Sequence, residues 1–223
     1  MGTITAQTII NRAARLLEDV GNVSFTRDEL RDWLNEAQTQ VVNYAPGSNS
    51  KVVSVPLAAG TRQTLPTESV LLLDIARNTG GTTVRLVTRE SLDGGPSDWH
   101  TAKAEPTVRV YCYDTNTPDI FYVYPPNDGT GSVDISYAEV PAVISSDAQT
   151  ISVKDTYAAA LLNYMLYRVY SRDTDYLAGG KEAAAAYFTA FQNALSGRAT
   201  LDAVSGANAA LAAMQPTNSG STK

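Results

Sequence analysis

Residues 157–170 read YAAALLNYMLYRVY, and only Asn163 and Arg168 among them are clearly polar. Wound at helical period, this run has almost no side to give to water. It must be covered by its own fold, by a neighbouring subunit or by lipid. Lipid is ruled out by length, since a spanning helix takes about 18 or more consecutive apolar residues and no run here reaches that. A chain of 223 residues is long enough to build a core around such a helix.

The segments on either side supply partners for it. Ala6, Ile9, Ile10, Ala13, Leu16, Leu17 and Val20 make one stripe, predicting a helix over 5–20 that Gly21-Asn22 ends as a C-cap pair. Thr26-Arg27-Asp28-Glu29 has the form of a capping box. The helix it opens buries Leu30, Trp33, Leu34, Ala37, Val41 and Tyr44, and Pro46-Gly47 stops it. After the apolar run, which Asp155 or Thr156 can cap, a fourth helix is predicted over 181–195. Ala184, Tyr187, Phe188, Phe191 and Leu195 share its face, and Ser196-Gly197 ends it.

Between the helical pairs the pattern changes to short alternating segments broken by Gly, Pro and Asn. Val53, Val55 and Leu57 alternate, and Asn78-Thr79-Gly80-Gly81 signals a hairpin between 71–77 and 83–88. Strands are expected over 107–113, 119–124 and 132–139. In the first of these Val108, Val110 and Cys112 share a face, which makes Cys112 a small core residue rather than a reactive thiol. Arg109, Tyr111 and Tyr113 share the other.

The fold class is therefore α+β. A bundle of about four helices, two N-terminal and two C-terminal, takes residues 1–48 and 154–197, an antiparallel β domain is inserted at 49–153, and 198–223 form an extended C-terminal tail. Bundle core and subunit packing fall to Trp33, Leu161, Leu162, Tyr164, Met165, Tyr167, Phe188 and Phe191. The tail is Ala-rich with sparse anchors, Leu201, Val204, Leu211 and Met214, a pattern that orders on a partner.

Nothing in the sequence calls for chemistry. The only histidine, His100, rules out a His-rich metal site, and the single cysteine rules out an intramolecular disulfide. There is no GxSxG elbow and no phosphate loop. Asp173-Thr174-Asp175 lacks the later ligands of a calcium loop, and Asp98, Glu105, Asp114 and Glu139 show no spacing of a catalytic pair. No catalytic, cofactor-binding or metal site is expected, and no cofactor. A net charge of −6 without a basic run argues against nucleic acid as a bound ligand. MGTITAQTII lacks a basic region followed by an apolar one, so synthesis in a reducing cytosol is expected.

Arg15-Leu16-Leu17-Glu18-Asp19, the stretch from Phe25 to Gln38, and the segments SDWH, FYVYPP, ISYAEVP and YAAALLNYMLYRVYSRDTDY resemble the head-to-tail adaptor (connector) proteins of tailed phages, over about residues 4–197. The resemblance implies a structural protein of the virion neck in a short-tailed phage. Such adaptors form a dodecameric ring beneath the portal, extend the DNA channel without binding DNA specifically, and give the tail nozzle, with any tail fibres, a docking surface. A ring closes through heterologous contacts, so each subunit needs two different adhesive faces. Two other readings stand beside this one: a tail-tube or nozzle subunit that never touches the portal, and a wall-degrading enzyme carried on the tail.

Overall fold

The computed structural model describes residues 2–95, 98–172 and 180–205, with side chains to 196. The fold is α+β, and the chain divides into two compact units. One, the strand unit, is built from residues 2–3, 38–144 and 150–154, the other, the helical unit, from 4–37, 145–149 and the chain from 155 onward.

In the helical unit, α1 spans Ala6–Leu16 and α2 spans Arg27–Tyr44, with its residues beyond Ala37 in the strand unit. The predicted capping box is present: Glu29 accepts the Thr26 N–H at 3.0 Å, and Thr26 Oγ1 accepts the Glu29 N–H at 3.3 Å. α1 stops earlier than the apolar stripe suggests. Asp19 accepts the backbone N–H groups of Val23, Ser24 and Phe25 at 2.7–3.0 Å, which folds the chain into a tight loop. Glu18 and Asn22 take left-handed φ values of 55° and 54° to close it. Leu16 and Val20, expected in the buried stripe, are 56% and 71% exposed, and Tyr44 at the end of α2 is exposed as well.

Segment 145–149 lies against both N-terminal helices. The carbonyls of Gln149 and Asp147 accept the Ala6 and Gln7 N–H groups at 2.8 and 2.9 Å, filling donors that the first turn of α1 leaves open. The Asp147 carboxylate meets Arg27 at 2.7 Å and Arg31 at 2.9 Å. Burial opposes its ionisation, yet the two guanidiniums outweigh that and hold its pKa below the usual carboxylate value.

After a short 3-10 turn over Asp155–Tyr157, α4 spans Ala158–Arg172, and α5 spans Gly180–Ser205. α5 does not end at Ser196-Gly197 as expected. One internal glycine costs a helix only about 1 kcal/mol, and Leu195, Arg198 and Ala199 near it are good helix formers. A fifth helix, α3 over Arg89–Asp93, was not predicted; the Thr88 hydroxyl caps it by accepting the Ser91 N–H.

The strand unit holds two sheets. β1 (Ser50–Pro56), β7 (Ser132–Glu139) and β3 (Ser69–Asn78) lie in the order β1-β7-β3, wholly antiparallel. β2 (Gly60–Thr64), β6 (Ile120–Asn127), β5 (Val110–Tyr113) and β4 (Arg85–Leu86) form the second, in that order. Here the expected all-antiparallel domain is corrected, because β4 runs parallel to β5. The turn at Asn78–Gly81 forms, with Gly80 at φ 69°, but only an isolated bridge, Arg77 to Thr83, follows before the chain crosses to the other sheet.

The sheets meet over one core that includes Leu72, Ile75, Tyr111, Phe121, Val123 and Ile135. The other face of β5 and β6 is covered too, by Leu92 and Trp99 over Cys112, Tyr122 and Tyr124. Cys112 is buried, and burial raises its thiol pKa.

Polar side chains hold the irregular stretches. Buried Asn127 donates to the carbonyls of Glu105 and Pro106 and accepts from Gly129 and Gly131. Asp134 on β7 accepts from Ser54 on β1 at 2.6 Å, Arg77 on β3 at 2.7 Å and Thr79 at 2.9 Å, stitching three strands across their outer face. These bonds, led by Ser54, pull its pKa down to about 2.

A Cβ at Gly131 would strike the Pro106 carbonyl and the Asn127 amide. Gly131→Ala is expected to lower stability by about 1–3 kcal/mol, read from the urea midpoint. Asp134 stabilises the fold above its unfolded value of 3.8, and that contribution is lost as pH falls towards 2. Denaturation between those pH values should therefore be less steep in Asp134→Asn than in the parent.

Candidate functional site

Four of the titratable residues that could have done chemistry make structural contacts. His100 stacks on Trp99 with ring centroids 3.6 Å apart, and its Nδ1 shares a 2.8 Å hydrogen bond with Thr61. Glu105 pairs with Arg109 and Glu139 with Lys51, while Asp114 accepts from the Asn116 backbone and amide. Among the described residues no three His, Cys, Asp or Glu side chains group as a metal site. The helical unit carries the residues that the sequence marks for packing.

α4 and α5 run antiparallel and meet through aromatic rings. Tyr164 lies 5.2 Å from Phe191, Tyr167 4.9 Å from Phe188, and Tyr170 stacks on Tyr187 at 5.5 Å. Leu161, Met165 and Phe191 are fully enclosed, and Leu162 and Tyr164 nearly so. Trp33, Tyr167 and Phe188 are half-buried. From Tyr157 to Tyr170 only Ala159 is exposed. The other face of α4 carries a polar seam against α2. Glu36 accepts the Tyr164 hydroxyl at 2.7 Å and also pairs with Arg168. Burial first, and then this bond, pushes the Tyr164 phenol up to about 12. One turn on, Arg172 pairs with Glu29 at 2.5 Å and lies over the Phe25 ring.

Sequence reasoning missed this seam. Its signal was present: Glu29 and Glu36 stand a heptad apart, and Tyr164, Arg168 and Arg172 recur every fourth residue, giving two rows able to face each other. It also missed the α1–α2 loop as a surface. Leu16 at the end of α1 is 56% exposed, and Val20 and Val23, 71% and 87% exposed, stand on the loop that follows, whose shape Asp19 fixes through three backbone bonds. Exposed aliphatic side chains on a braced loop offer a contact surface at little ordering cost.

Of the tail anchors, Leu201 and Val204 fall in the last turns of α5, but their side chains lie outside the described residues, as do Leu211 and Met214 altogether. The pairing of Tyr164 with Phe191 and Tyr170 with Tyr187 brings the start of α4 level with the region of Gly197. The last turns of α5 therefore run on past α4.

The SU10 adaptor protein family model matches residues 4–213. No curated protein matches the chain.

Leu162→Asp is expected to abolish folding, since it places an unpaired charge in a closed site. Tyr164→Phe should cost only about 0.5–1.5 kcal/mol, because Arg168 still satisfies Glu36. Circular-dichroism melts of the two variants check this contrast.

Proposed function

Since the chain belongs to the SU10 adaptor protein family of phage structural adaptors, we propose that its subunits close into a ring below the portal, a dodecamer, which extends the DNA channel and gives the tail nozzle its docking surface. The observation that carries this reading is the family match over residues 4–213, nearly the whole chain. The bundle of 1–48 and 154–197, the inserted domain of 49–153 and the extension of 198–223 are the parts such a subunit uses.

A closed ring needs two different adhesive surfaces on each subunit. α4 is a poor source of either, because its own chain already covers it. The end of α1 with Leu16, together with the braced loop carrying Val20 and Val23, is the better candidate for one. The end of α5, running past α4 into the segment that holds Leu211 and Met214, supports a separate contact with the portal. DNA passes through such a ring without being held, in keeping with a net charge of −6. No helix among the described residues is long and apolar enough to cross a membrane.

Electron-microscopic class averages of this protein mixed with its portal should show a ring on the portal's lower face. A chain that binds only a nozzle protein, and never the portal, would instead be a tail-tube subunit. Deleting residues 199–223 removes the last turns of α5 and everything after them but spares the aromatic contacts. The truncated chain is expected to fold with an unchanged melting temperature and to dock more weakly on the portal. Unchanged docking would leave the anchors without a role.

A further inference from the structure

Four strand edges border the two sheets of the strand unit, and three are blunted. β3 has three register shifts along its length, and its Leu72 and Ile75 N–H groups are taken by the hydroxyls of Tyr113 and Tyr111. β2 is bulged between Gly60 and Arg62, and the Gln63 side chain folds back onto the carbonyls of Ala58 and Gly60. β4 is two residues long. These are the usual devices that stop a sheet from growing.

β1 has none of them over its middle. Its seven residues pair with β7 in unbroken register from Ser50 opposite Ala138 to Pro56 opposite Ser132. The Leu57 N–H donates to the Gly131 carbonyl at 2.9 Å, which fixes the phase of the ladder. Lys51, Val53 and Val55 turn their backbone groups towards β7, while Val52 and Ser54 turn theirs outward. Val52 is 71% exposed. A regular edge of this kind is a ready template for another extended strand.

We infer that β1 is a docking edge for β1 of a second copy of this chain, the two strands running antiparallel about a two-fold axis at Val53. In that register Val52 lies opposite Ser54 of the second copy, and the two exchange both of their outward backbone hydrogen bonds. Lys51, the only charged residue of the strand, lies opposite Val55 and keeps its own partner, Glu139, at 2.9 Å. No like charges face each other. Pro56, which has no N–H to give, falls at the rim opposite Ser50. The available length matches as well: just before β1 the Ser48 carbonyl is already taken by the Lys154 N–H at 3.0 Å, so an added strand must stop where β1 stops. The contact is two-fold, unlike the head-to-tail contacts that close a ring, and does not rest on the ring reading.

Sedimentation velocity of the full chain over a concentration series tests the pairing. The expected result is a monomer–dimer equilibrium that Val52→Pro weakens at least about tenfold with no change in thermal midpoint. Proline there removes only an outward N–H, which an edge strand tolerates. Should that variant melt early, Val52→Lys keeps the backbone and sets like charges on diagonal neighbours across the axis, and the same weakening is expected. A wild-type chain that stays monomeric alone overturns the inference and leaves the edge to a strand of another protein. So does a dimer that both variants leave intact.

Discussion

α4 has a single exposed position between Tyr157 and Tyr170, and the helical unit is organised by the need to keep it so. α5 covers one side with rings, Phe191 on Tyr164 and Tyr187 on Tyr170, and the acidic residues of α2 cover another. Tyrosine suits this place because one side chain can bury a ring and still carry a hydroxyl to a polar partner. Tyr164 does both, touching Phe191 with its ring and Glu36 with its oxygen. A helix so enclosed has little left for a neighbour. The exposed aliphatic side chains lie instead at the periphery, about the α1–α2 loop and on the outer edge of β1.

The strand unit solves a different problem. Its strands are short, and the long connection over 88–107 has to cover a sheet face without much regular structure of its own. Buried asparagines take the place of a ladder there. Asn78 and Asn127 each bind backbone donors and acceptors at once, so irregular chain is satisfied at depth without water. Asp134 performs the equivalent task at the surface, where one carboxylate ties three strands.

What could be read from the sequence follows the range of the interactions involved. The capping box at Thr26 and Glu29 was legible because its halves are three residues apart, and so was the burial of Cys112, because alternation is local. The stop of α1 was not. Its apolar period continues to Val20, and only the three bonds to Asp19 turn the chain away. The turn at Asn78–Gly81 was legible while its strand pairing was not, because β4 finds its partner in the other sheet. Tyr111 was assigned to the face opposite Cys112, correctly, but both faces of β5 are buried, which no alternation reveals. The Glu36–Tyr164–Arg168 seam joins residues more than a hundred positions apart, and only the folded chain brings them together.

Glu29 illustrates how a local rule tightens when a fold makes second use of it. In an ordinary capping box glutamine serves as well as glutamate, since only one acceptor oxygen is required. Here one oxygen closes the start of α2 and the other receives Arg172 from the end of α4. Glutamine has a single carbonyl oxygen and would have to abandon one of the two. Among relatives that keep an arginine at the end of α4, drift at this position should be narrower than the cap alone would permit, and the two sites should change together or not at all.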